Sequence, residues 1–186
     1  DKLGFVVECK TRDPRMAQTL RTPGYTLPGS DGTAVSTPAN LSSMKLGYQL
    51  RKYYISVEYD GFSEVDLPIF RTAEVYLNLA EAKAELGTLS QTDLDNTVNK
   101  IRARAGVTGM LNKAAANADV NIDEWIKGCY PNLAKTGGEN LGVILEIRRE
   151  RTVELCFEGF RQWDLLRWKE GKWLTPAATK GFQGIY

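Results

Sequence analysis

The sequence predicts a mainly α fold with a minor β part: tetratricopeptide-like helix pairs carrying a small β-ribbon and long loops. Three observations predict it. Beyond Pro68 the apolar residues Phe70, Ala73, Tyr76, Leu77, Ala80 and Ala84 recur at helical spacing. After Ser90 the same period restarts with Leu94, Val98, Ile101 and Ala105, so Phe70 to Arg104 has the size of one tetratricopeptide unit, although only one copy is visible. Before Pro68 the chain is instead short-patterned, rich in aromatic residues and punctuated by Pro and Gly.

Taken in order, residues 3–9 are β-branched and aromatic and predict a strand, and Asp13-Pro14-Arg15 suits a turn or a first helical position. Residues 22–44, with Pro28-Gly29-Ser30-Asp31-Gly32 at their centre, predict a long loop. Residues 46–59 partly alternate and predict an edge strand or two-stranded ribbon closing at Asp60-Gly61. In the helical part, Gly87 is a natural C′ residue, Ser90 with Asp93 makes an N-terminal capping pair, and Gly106 stops the second helix. A short helix follows around Ile122–Lys127, and Gly137-Gly138 breaks the chain. The longest helix is predicted over Glu139–Phe157, and a last one near Arg161–Glu170. The tail from Gly171 reads as irregular. This places a boundary between a β-ribbon and loop segment, 1–65, and a helical segment, 66–186.

Composition narrows the function classes. The chain has 186 residues, enough to bury about 70% of the extended chain's surface without disulfides or metal. Lys plus Arg (24) nearly cancels Asp plus Glu (23), which argues against a nucleic-acid face. No apolar run exceeds three residues, so no segment reads as membrane-spanning. The absence of histidine removes Ser-His-Asp and Cys-His machinery and the H-E-x-x-H zinc sites. Cys9, Cys129 and Cys156 lack C-x-x-C spacing and read as small core hydrophobes, with one disulfide open to them in an oxidising compartment. No Walker motif or G-x-G-x-x-G is present, and no cofactor site is predicted. The start at Asp1 and the apolar end at Tyr186 suggest a fragment of a longer protein.

Three segments together resemble the SusD/RagB family of outer-membrane nutrient-binding lipoproteins of Bacteroidetes. They are Phe70-Arg-Thr-Ala-Glu-Val-Tyr-Leu-Asn-Leu-Ala-Glu-Ala, then Asn99-Lys-Ile-Arg-Ala-Arg-Ala-Gly-Val, then the long run from Ile144 through Glu-Ile-Arg-Arg-Glu-Arg-Thr-Val-Glu-Leu-Cys-Phe-Glu-Gly-Phe-Arg-Gln-Trp-Asp to Trp168. Asp13-Pro14-Arg15 and Gly47-Tyr-Gln-Leu-Arg-Lys-Tyr-Tyr add weaker agreement. Order and spacing match the family's C-terminal portion, so the whole chain is expected to be one C-terminal SusD/RagB-like domain. The resemblance implies a non-catalytic protein that holds oligosaccharides at the cell surface for a TonB-dependent SusC-like transporter. It implies a membrane attachment only through an N-terminal lipid that this chain does not carry. Alternatives are a peptide-binding RagB-like member or a tetratricopeptide-type protein-interaction scaffold.

The charged helix invites a catalytic reading, since Glu150 and Glu154 lie one turn apart. Glycoside hydrolysis needs two carboxyls facing each other across a cleft in unlike environments. Neighbouring turns of one arginine-studded helix supply neither, so Arg148, Arg149 and Arg151 are expected to pair with these carboxylates within and between helices. Aromatic rings are the natural platforms for the C–H faces of sugars. Trp163 and Trp168 fall inside the last helix and are assigned to the core. The ligand-binding candidates are the aromatics outside helical stripes: Tyr25, Tyr59, Phe62 and Trp173.

Overall fold

A computed structural model describes residues 4–29, 31–40, 48–53, 68–119 and 130–171. It is mainly helical with one small antiparallel sheet, as the periodicity predicts. The described residues fall into two compact units, with the division between Ile69 and Phe70.

In the first unit the predicted N-terminal strand is a helix, α1 (Gly4–Glu8), running into a 3-10 turn over Cys9–Thr11. A short apolar run carries no period that separates strand from helix, and here tertiary contacts decide. Phe5 meets Tyr48 edge-on at 5.7 Å, and the Tyr48 hydroxyl donates to the Glu8 carboxylate at 2.8 Å. Helix α2 (Arg15–Thr19) follows Pro14, and the Asp13 carboxylate accepts from the Arg15 backbone N–H at 2.9 Å. The expected long loop contains the β-ribbon instead. Strand β1 (Thr26–Pro28) pairs antiparallel with β2 (Ala34–Ser36), with Leu27 opposite Val35. The Pro-Gly-rich centre is the hairpin turn, where the Asp31 carboxylate accepts from Thr33 N–H and Oγ1. Of the ribbon predicted at 46–59, residues 48–53 are described. They contribute a single bridge, Leu50 to Leu20, and no strand. Residues 54–59 and the Asp60-Gly61 turn lie outside the described residues.

The second unit is built around two helices of equal length, α3 (Thr72–Glu85) and, later, α8 (Leu141–Glu154). Helix α3 buries Ala73, Leu77, Ala80 and Ala84; of the rest of the predicted stripe, Tyr76 is only half-buried and Phe70 precedes the helix and is exposed. Gly87 closes it with φ 72°, a left-handed value open to glycine at little cost. The predicted second helix is two, α4 (Gln91–Asn96) and α5 (Val98–Arg104). They part at Thr97, whose backbone leaves the helical region at φ −126° and ψ −91° and whose Oγ1 donates to the Asp93 carbonyl at 2.6 Å. Leu94, Val98 and Ile101 still join Leu77 and Ala80 in one core.

Helix α6 (Lys113–Ala118) starts at Asn112, whose Oδ1 accepts from Ala115 N–H. The helix predicted over 122–127, with Trp125, and Cys129 lie outside the described residues. Helix α7 (Pro131–Thr136) is capped from far along the chain, because Glu170 Oε1 accepts from the N–H groups of Asn132 and Leu133 at 2.9 and 3.1 Å. A 3-10 turn at Gly138–Asn140 then leads into α8, which packs against α3, α6 and α7. Gly142 sets the closeness of α6, since a Cβ there would stand 1.9 Å from the Ala116 carbonyl oxygen. The chain leaves α8 through residues 155–159 and re-enters a helix as α9 (Phe160–Arg167), with Phe157 at φ 62° and Gly159 at φ 84° turning the corner. No helix among the described residues is long and apolar enough to cross a membrane.

Candidate functional site

Helix α8 owes its character to charge. It buries Arg148, Glu150, Arg151 and Glu154 among Val143, Ile144 and Ile147. An ionised group carried out of water costs several kcal/mol unless it is paired, and each of these has a partner on another element. Arg102 donates to Glu150 at 2.8 Å and to Glu146 at 3.2 Å. Arg71 spans Glu154 and Glu158, and Arg104 reaches Glu154 at 2.7 Å. Arg151 meets Asp164 of α9 at 2.7 Å and Asn78 of α3 at 2.7 Å. Arg148 reaches Glu85 and lies over the Trp168 ring, its guanidinium carbon 4.4 Å from the centroid. Only Arg149 pairs along its own helix, with Glu146. The expected pairing of the arginines thus holds, and it joins helices more than it braces one.

The titration of these groups follows from the same contacts. Burial pushes the Glu81 carboxyl upward, but hydrogen bonds from Arg167 and the Trp168 indole N–H outweigh it and hold the group below the usual carboxylate range. Burial lowers the Arg148 guanidinium, with Glu85 opposing. Glu150 and Glu154, the pair a hydrolase would need, each lie buried against guanidinium groups rather than across a cleft from one another.

The corner between α8 and α9 is built differently. It forms a half-open cavity of about 500 Å³ lined by Thr152, Leu155, Phe157, Phe160, Arg161 and Gln162 together with the Arg151–Asp164 pair. Phe157 leaves 57% of its surface exposed, although its left-handed backbone is costly for a side chain of its size. Arg161 donates through Nη1 to the Tyr130 hydroxyl at 3.0 Å and to Thr152 Oγ1 at 2.9 Å.

Trp163, assigned to the core by its place in the helix, is 69% exposed, whereas Trp168 is buried as expected. The reason is angular. Residues five apart on an α-helix lie about 140° apart around its axis, so the two indoles cannot share a face. The buried face of α9 belongs to Asp164, Leu165 and, just past its end, Trp168, and the outer one to Gln162, Trp163 and Leu166. That spacing is in the sequence and would have separated the two tryptophans.

Among the ligand-binding candidates, Tyr25 is only 6% exposed. It is no open platform, because Arg51 and Arg21 cover its ring, with guanidinium carbons at 4.7 and 5.6 Å from the centroid. Tyr59, Phe62 and Trp173 lie outside the described residues. Cys9 and Cys156 are half-buried rather than core.

A family model described as the SusD family matches residues 2–185, nearly the whole chain. The chain belongs to the SusD family. No curated protein and no solved structure matches it. SusD proteins are in general non-catalytic nutrient-binding proteins.

Proposed function

We propose that this SusD-family chain holds oligosaccharides or polysaccharides at the outer-membrane surface, without catalysis, for delivery to a TonB-dependent SusC-like transporter, with the protein anchored by a lipid. The observation that carries the reading is the state of the carboxylates on α8. Glu150 and Glu154 are buried in ion pairs with Arg102, Arg71 and Arg104, so each is committed to holding helices together and neither faces the other across a cleft as an acid and a base would. The exposed aromatic rings at the α8–α9 corner, Phe157 and Trp163, supply apolar faces of the kind sugar rings stack upon.

The test is a glycan-array screen of the protein, paired with a reducing-sugar assay on every glycan it retains. Retention of at least one polysaccharide class without release of reducing ends is the expected result. Turnover that disappears on Glu150→Gln or Glu154→Gln, with the variant still folded, contradicts the binding role.

A further inference from the structure

We propose that the cavity at the α8–α9 corner is a subsite for an anionic sugar residue, a uronate or a sulfated ring, with Arg161 as its charged anchor. The proposal deepens the glycan-binding reading and rests on it.

The argument starts from charge matching. Between residues 70 and 171 the described arginines Arg71, Arg102, Arg104, Arg148, Arg149, Arg151 and Arg167 all meet a carboxylate. Arg161 alone meets two neutral hydroxyls, those of Tyr130 and Thr152. Both contacts use Nη1. Among the described residues the opposite edge of the guanidinium, Nε–H with Nη2–H, has no hydrogen-bond partner, and that edge is the fork that grips two oxygens of a carboxylate or sulfate at once. The other two charges of the cavity, Arg151 and Asp164, cancel each other at 2.7 Å, so the cavity keeps one unmatched positive charge.

Size and surface agree with a sugar. About 500 Å³ lies within the range of small-ligand sites and accommodates more than one ring. The exposed Phe157 ring offers an apolar face at the cavity, and the Gln162 amide a donor and an acceptor for hydroxyls. Arg161 is held before any ligand arrives, by its two hydroxyl contacts and by the Tyr130 and Trp168 rings at 5.6 and 5.9 Å, so little side-chain freedom remains to be lost on binding. An acidic peptide shares the charge but does not call for the ring face.

Calorimetry on the whole chain tests this with four probes: an oligogalacturonate, its carboxyl-reduced neutral counterpart, a sulfated oligogalactan and an acidic peptide. At least one anionic saccharide is expected to bind about tenfold or more tighter than the neutral one, the scale of one charge-assisted contact. Which of the two anionic saccharides does so distinguishes carboxylate from sulfate. Arg161→Gln should erase that preference. Arg161→Lys, which keeps the charge and loses the fork, should restore only part of it, and it decides the matter if Arg161→Gln fails to fold. Equal affinity for charged and neutral sugars, an unchanged preference in the variants, or Arg161-dependent binding of the peptide alone overturns the subsite while neutral-glycan retention leaves the glycan reading standing. Failure to bind any saccharide on the array or in the calorimeter removes both.

Discussion

Two stretches of the second unit, joined at Leu155, handle the same residue types in opposite ways. Along α8, arginine and glutamate are buried together and matched pair by pair across helices. At the corner beyond it, an arginine stays exposed against neutral hydroxyls and two aromatic rings, those of Phe157 and Trp163, face outward. The difference separates scaffold from surface. A matched buried charge is a constraint on how helices meet, and its removal strands the partner. An exposed arginine without a carboxylate leaves no buried charge stranded when it is removed, and its Nε–Nη2 edge remains for something else to occupy.

The sharpest way to break this contrast is to strand a charge inside the seam. Arg102→Met leaves Glu150 without its closest guanidinium and the Gly109 carbonyl without its donor, and it should cost about 3–5 kcal/mol in urea unfolding. Gly142→Ala attacks the same helix through space, since the new methyl meets the α6 backbone. A loss of about 1–3 kcal/mol is expected, with α6 displaced in a structure of the variant.

A milder effect belongs to the start of α4. Ser90 accepts from Asp93 N–H and Asp93 caps in return, so Ser90→Ala should cost about 0.5–2 kcal/mol. Hydrogen bonds from Lys83 and then from Ser90 hold the Asp93 carboxyl at about 2. Its folded value lies below its unfolded one, so its contribution is fully present above the ordinary aspartate range and is lost as pH falls toward 2. Stability curves of wild type and Asp93→Asn should therefore converge over that acid window and run parallel near neutrality. The smallest effect is expected for Trp163→Ala, within about 0.5 kcal/mol of wild type, whereas Trp168→Ala should cost about 3–5 kcal/mol.

Helical period carried most of the second unit: the α3 stripe, the Ser90–Asp93 cap and the Gly87 stop are local patterns that the structure keeps. Local pattern failed where a distant contact decides. Residues 4–8 are helical beside Tyr48, which lies far along the chain. The charged seam was legible as pairing, but not its partners, because Arg71 and Arg102 lie far from Glu154 and Glu150 along the chain. The corner was hidden for a different reason. Trp163 and Trp168 share one helix but their spacing puts them on different faces, and the lone status of Arg161 emerges only once the other described arginines between residues 70 and 171 have found their carboxylates.

That status gives the most direct test of the separation between scaffold and surface. Arg151 and Arg161 sit on opposite sides of the turn, both lining the same cavity, one matched to Asp164 and one not. Methionine in place of each, followed by urea unfolding at neutral pH, isolates the difference. Arg151→Met should lose about 3–5 kcal/mol and Arg161→Met less than about 1 kcal/mol. Equal losses at the two positions would contradict the account.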